Sequence, residues 1–185
     1  MIGDSGLATT KLYGLLLIAT VAVNASAADD PSTAKMNRLL HSLSGVWRYT
    51  VKSPSSSQHP NGDVTTGVEV WRTSPGGTPL IEENQMTIDG KDYYDYAAIW
   101  WNGKMQDLQG IWCDTEMNDQ GCTNFAVTWE GEQIVMTGEY ESAGKKFAWR
   151  ETFARNSEHS LTQTLYVGQP GRDLKLVSTI SLAKN

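Results

Sequence analysis

This chain holds little of what catalytic or metal centres are usually built from. Its 185 residues include three histidines, His41, His59 and His159, and two cysteines, Cys113 and Cys122. No H-x-x-x-H or C-x-x-C spacing occurs, so there is no recognisable zinc ligand set. No serine stands in a G-x-S-x-G elbow, and no Gly-rich phosphate loop is present. Glu82 and Glu83 are neighbours on an extended run, so they point to opposite faces and do not act as a pair. Asp114, Glu116 and Asp119 fall in a polar turn, read as solvated, with a calcium site as the alternative. Positive charge is also sparse. The formal net charge is −6 and no run of Lys or Arg exists. Nucleic acids and anionic membranes need clustered cations, so neither is an expected partner. No cofactor and no metal are expected.

Long apolar runs are absent except for one. Leu12 to Val23 follows Lys11 and precedes Ala25-Ser26-Ala27. A positive charge, a short apolar stretch and a small-x-small site are the parts of a cleavable export signal. A membrane-spanning helix needs about 20 apolar residues, and this run is shorter. The expectation is a signal peptide over 1–27 and a mature protein over 28–185, periplasmic or extracellular, with no stable membrane insertion after cleavage. The 158 residues left of the 185 suit a single domain.

Cys113 and Cys122 bracket a polar, turn-rich stretch. In an exported protein such a pair reads as a disulfide, and a redox pair would more usually be C-x-x-C.

Within 28–185 one helical stripe appears, then none. Met36, Leu39, Leu40 and Leu43 fall at i, i+3, i+4 and i+7, which predicts a helix over Ser32 to Leu43, with Ser32 or Thr33 as its cap. From Gly45 onward the pattern changes to short runs rich in Val, Ile, Thr, Tyr and Trp. These are Val46–Lys52, Thr66–Thr73, Leu80–Ile88, Lys91–Trp101, Lys104–Cys113, Thr123–Glu130, Gln133–Glu139, Lys145–Ala154, Ser160–Val167 and Leu174–Ala183. Asp89-Gly90, Asn102-Gly103, Glu130-Gly131 and Ser142-Ala143-Gly144 lie between runs as hairpin turns, because paired positive φ angles favour Asn, Asp and Gly. No helix returns to make a parallel crossover. The expected fold is all-β: an antiparallel up-and-down meander of about ten strands, which buries its edges by closing into a barrel. The loops 53–63 and 74–79 are longer and are candidate lids or plain connectors.

The leucine-striped helix entering Leu43-Ser44-Gly45-Val46-Trp47, the Ile88-Asp89-Gly90 turn and Trp112-Cys113-Asp114 after a long hairpin resemble the calycin superfamily. More narrowly, the chain is similar to a small bacterial lipocalin-like family of unknown function. That family usually has a Tyr-Asp pair where this chain has Trp100-Trp101-Asn102-Gly103. The resemblance implies a barrel with an internal cavity and no established catalytic residues. The haem-binding nitrobindin type shares the G-x-W entry, but its late axial histidine has no counterpart after His159.

Tryptophan is what the chain has in excess: seven, at 47, 71, 100, 101, 112, 129 and 149. Trp47 is expected to plug one barrel end. Indole rings also wall cavities and stack flat ligands. Trp71, Trp100, Trp112 and Trp149, with Tyr94 and Tyr96, are the expected lining, and Arg48 or Arg150 the anchor for a polar end. Tyr94, Tyr96, Ala98 and Trp100 share one strand face, and Tyr93, Asp95, Ala97, Ile99 and Trp101 the other. Glu151 shares a face with Phe147, Trp149 and Phe153. It either meets Arg48 or Arg72 inside or lies near a rim in water. The leading expectation is a binding protein for a small apolar or aromatic molecule. An isomerase- or hydratase-like enzyme on the same barrel and a secreted module with an aromatic docking surface are the alternatives.

Overall fold

The computed structural model describes residues 30–52, 64–88, 90–114 and 121–185. The expected export signal, the loop 53–63, Asp89 and most of the turn between the cysteines lie outside these residues. Helix α1 spans Pro31–Leu43. Ten strands follow: β1 Gly45–Lys52, β2 Val64–Thr73, β3 Leu80–Ile88, β4 Lys91–Asn102, β5 Asp107–Asp114, β6 Cys122–Glu130, β7 Gln133–Ser142, β8 Lys145–Ser157, β9 Ser160–Gly168 and β10 Lys175–Lys184. Each strand pairs antiparallel with the next, and β10 returns to β1 to close the barrel. Closure leaves no sheet edge unpaired.

The helix starts one residue earlier than the stripe predicts. Pro31 opens it, where a missing N–H costs nothing, and Asp30 rather than Ser32 or Thr33 stands at the N-cap. Three of its last four carbonyls, and Arg38 O before them, have named partners. Arg38 O accepts from the Ser42 hydroxyl, Leu40 O from Ser44 N, His41 O from Arg155 Nη1 at 3.0 Å and Leu43 O from Trp47 Nε1 at 2.6 Å. Met36, Leu39 and Leu43 face the barrel and are buried. The helix thereby seals one end. Below it lies the apolar core: Trp47, Leu80, Ile99, Leu108, Val127, Ile134, Phe153, Leu161 and Leu182, every one at most 2 % exposed.

Most turns follow the sequence. Ala143 and Gly144 have φ of 50° and 70°, the paired positive angles of a two-residue hairpin. The Asn102-Gly103 turn does not. The strands resume only at Asp107, paired with Asn102. The Asn102 side-chain oxygen takes the backbone N–H groups of Lys104 and Met105, and Gln106 is the left-handed residue. A local Asx turn has displaced the tighter hairpin.

Cys113 and Cys122 face each other across β5 and β6 with Cα atoms 4.0 Å apart and are joined in a disulfide. Both point outward. The ring they close is short, so replacing both with alanine is expected to lower stability by about 2.5 kcal/mol on the chain-entropy scale. Urea unfolding of the double variant beside the parent measures it, and an unchanged midpoint would contradict it.

Candidate functional site in the barrel interior

Strand parity decides which side chains see the interior, and the buried sets fix it. Inward positions are Trp47 and Tyr49 on β1, Gly67, Glu69 and Trp71 on β2, and Leu80, Glu82 and Asn84 on β3. They continue with Asp95, Ala97 and Ile99 on β4, and Gly110, Trp112 and Asp114 on β5. On the far wall they include Phe125, Gly138, Trp149, Glu151 and Gln163.

This parity corrects half of the expected lining. Trp71, Trp112 and Trp149 face inward, but Trp100 is on the outer face of β4 with Tyr94 and Tyr96, which are 40 % and 46 % exposed. Their β4 neighbours Asp95, Ala97 and Ile99 took the buried face, because the smaller Ala and the aliphatic Ile fit the packed layer beneath the helix. Arg48 points outward beside the exposed Val46, so it anchors nothing inside. Arg150 is also outside, bound to Glu130 at 2.7 Å and lying over the Tyr166 ring. Glu151 is inward, yet it meets neither Arg48 nor Arg72. Gln163 Nε2 donates to it at 2.7 Å, and Arg72 pairs with Glu83 on the outer face.

What the interior holds instead is acid. Glu69, Asn84, Asp95 and Asp114 are register partners on β2, β3, β4 and β5, a lateral row of polar groups across four adjacent strands. Glu82 stands one step nearer the helix, beside Trp71 and Ala97. Glu151 approaches from the opposite wall. The row is wired. Tyr49 Oη donates to Asn84 Oδ1 at 2.9 Å, and Asn84 Nδ2 donates to Asp95 Oδ2 at 3.0 Å. Trp71 Nε1 donates to Glu69 Oε2 at 3.2 Å, and Trp112 also donates to Asp95. Glu82 makes no hydrogen bond among the described residues. The described ion pairs all lie elsewhere, at Lys35–Asp107, Arg38–Glu132, Arg72–Glu83 and Arg150–Glu130.

Carboxylates taken from water without a cation hold their protons. Burial pushes Glu69 up to about 8, with the charges of Glu151 and Asp95 adding to it. Asp95 and Glu151 rise to about 7, again chiefly by burial. Glu82 is raised well above the ordinary carboxylate range by burial and then by Asp95, Glu69 and Glu151. Burial also raises the Tyr49 phenol, so it stays a hydrogen-bond donor. These groups titrate as one linked set.

Three inward glycines set the shape of the space. A Cβ at Gly67 would overlap the Tyr49 ring, one at Gly110 the Phe125 ring, and one at Gly138 would stand 2.9 Å from the Trp149 indole. Each ring therefore lies flat over bare backbone, along the wall instead of across the axis. Away from the helix the inward side chains Met86, Trp112, Tyr140, Leu165 and Val167 are only half-buried. At that rim the β9–β10 loop, 169–174, frames a cleft of about 400 Å³ lined by the outer-face residues Thr137, Glu139 and Ala148 and by Arg172 as well as by Gly138 and Trp149. Gly110→Ala is expected to cost roughly 1–3 kcal/mol by driving Phe125 off the wall. Chemical denaturation reads the loss, and a variant as stable as the parent would refute the packing described.

Sequence reasoning missed Glu69, Glu82 and Asp95. On β4 the signal was present: Asp95 alternates with Ala97 and Ile99. On β2 the expected inward Trp71 shares its face with Glu69, while Val68 and Val70 face outward. Among the described residues no three His, Cys, Asp or Glu side chains are placed to hold a metal ion. Chemically, the arrangement can take up hydrogen-bond donors or protons.

Residues 32–182 match the model of a family described as a protein of unknown function, DUF1579. No curated protein matches the chain.

Proposed function

The chain belongs to the DUF1579 family of proteins of unknown function, and we propose that it is an exported, calycin-like binding protein that holds one small molecule inside its barrel. Helix α1 closes one end, so the ligand enters from the other. Its apolar or aromatic body lies against Trp112, Phe125 and Trp149, and its polar end meets the row from Glu69 to Asp95. The observation that carries this reading is the interior polar row itself. A barrel needing only a packed core gains nothing from four buried acids, each of which costs stability when charged. The Cys113–Cys122 bridge is consistent with an oxidising compartment and hence with a cleaved signal over 1–27.

Intrinsic fluorescence tests the reading. Six of the seven indoles face inward, and Trp112 and Trp149 stand nearest the open end, so a seated ligand is expected to quench part of the emission saturably. Trp112→Phe is expected to lose most of that signal at an unchanged melting temperature. Titrations with flat aromatic probes of every charge type that give only linear, unsaturable quenching would refute the proposal. A second reading, an isomerase- or hydratase-like enzyme, is favoured by one observation. Asp95 and Glu151, held near 7, suit proton transfer at neutral pH. Solvent deuterium appearing in a recovered ligand would favour it over simple binding.

A further inference from the structure

Counting donors against acceptors inside the barrel identifies what is missing there. Glu69, Glu82, Asp95 and Glu151 converge with no Lys or Arg bonded to any of them, and Glu82 has no hydrogen-bond partner among the described residues. Gln163, 8 % exposed, donates its amide N–H to Glu151, and its own oxygen is left with no partner. Thr123 Oγ1, 6 % exposed and on an inward position opposite Trp112, is likewise unpartnered. Two orphan donors stand beside them, the indole N–H groups of inward Trp149 and of Trp129, and with the acids ionised the carboxylate oxygens still leave acceptors in excess of donors. Buried polar groups are nearly always paired, so orphans gathered in one space point to a group that fills them.

We infer that the ligand is an organic cation, an ammonium or guanidinium group on a flat apolar body. The inference rests on the binding reading above and specifies its chemistry. A cation of this kind brings several N–H donors at once. It also brings the one charge the interior lacks. The indoles of Trp71, Trp112 and Trp149 and the Phe125 ring suit it twice over, as apolar wall and as faces attractive to positive charge. The sign is opposite to the one an Arg48 or Arg150 anchor would have selected. The acids facing the space between the helix layer and the open rim are consistent with it. Glu69 comes from β2, Glu82 from β3, Asp95 from β4, Asp114 from β5 and Glu151 from β8, with the phenols of Tyr49, Tyr93 and Tyr140 the other titratable groups. Among basic residues on the inward faces, Lys184 and Arg155 sit at the helix rim, and Lys91, over the Tyr93 ring, Lys145 and Lys175 stand exposed at the open rim. Lys184 lies over the Trp47 ring, and Arg155 holds the His41 carbonyl.

Matched probes test it. Calorimetric titration compares tryptamine with tryptophol, its neutral isostere, and with indole-3-propionate, its anionic one. Benzylamine against benzyl alcohol makes a second pair. Each ammonium is expected to bind at least tenfold tighter than its neutral partner, and the anion not at all. An alkylammonium stays charged between pH 6 and 8, as lysine does. Asp95 and Glu151, near 7, and Glu69, near 8, lose protons across that range, so ammonium affinity is expected to rise with pH and binding to release protons into the buffer. Glu82→Gln is expected to cut tryptamine affinity tenfold or more and leave tryptophol unchanged. Glu83→Gln, on the outer face, is expected to alter neither. Neutral probes that bind as tightly as the ammonium probes would overturn the inference and leave the binding reading standing. Absence of saturable binding by any probe, of any charge, would overturn both.

Discussion

The protein is expected to melt about 10 °C lower at pH 8 than at pH 5. The cause is three interior acids, Glu69, Asp95 and Glu151. Each has a folded-state pKa raised above its unfolded value, so the stability it contributes is fully present below pH 4 to 4.5 and is lost as pH rises through 7 to 8. For a single carboxyl held near 7 instead of 4.5, the loss approaches about 3 kcal/mol. The groups are linked, so their losses do not simply add. About 3 to 4 kcal/mol in a domain of this size shifts the melting temperature by roughly 10 °C. Glu69→Gln supplies the control. Glutamine keeps an oxygen for Trp71 Nε1 and removes a charge from the most deeply buried of the three, at 1 % exposure. The variant is expected to melt several degrees higher than the parent at pH 8 and close to it at pH 5. A flat melting profile from pH 5 to 8 in the parent would show that the acids are not held as described.

The second large effect belongs to Trp47. Its side chain is fully buried, its indole N–H holds the last carbonyl of α1, and the ring packs in the apolar layer beneath the helix. Trp47→Ala is expected to cost about 4 kcal/mol, the upper part of the range for buried aromatics, since a rigid helix above cannot settle into the gap. Trp47→Phe keeps most of the packing and loses the hydrogen bond, and is expected to cost about half as much. Calorimetric melts of the two variants at pH 5, where the acids are protonated, separate this effect from the charge effect. Equal stability of Trp47→Ala and parent would mean that the helix does not depend on this residue.

The architecture was legible because it follows from local signals. The i, i+3, i+4, i+7 leucines, the alternation after Gly45 and the Gly-bearing turns each act within a dozen residues, and ten antiparallel strands follow from them. The interior was much less so. Whether Tyr94 or Tyr93 faces inward depends on which register a strand takes against both neighbours, and one slip exchanges the faces. In β4 the two faces are almost equally aromatic, so composition alone could not rank them. In β2 the inward Trp71 carries Glu69 to the same face, and Glu69 is held inside by Trp71 Nε1. Long cationic side chains such as Arg48 and Arg150 look like anchors in a sequence. In the fold they reach water and nearby outer-face groups at less cost. The Asn102-Gly103 turn shows the same limit on a smaller scale, since the competing Asx turn is set by where β5 must begin.

The seam between β1 and β10 has a consequence for how this protein comes into being. Trp47 to Thr50 pair with residues 181 to 184, so the first strand made waits for the last. Every other pairing joins sequence neighbours and can form as hairpins while synthesis proceeds, within microseconds of the second strand's appearance. The seam alone carries a contact order spanning the whole domain, and its closure bears nearly the full loop-closure entropy. Until β10 arrives, a curled nine-stranded sheet would present two raw edges, at β1 and β9, each a template for another chain. The hazardous interval in the life of this molecule is therefore the time between completion of β9 and docking of β10, and shielding during that interval protects the chain best.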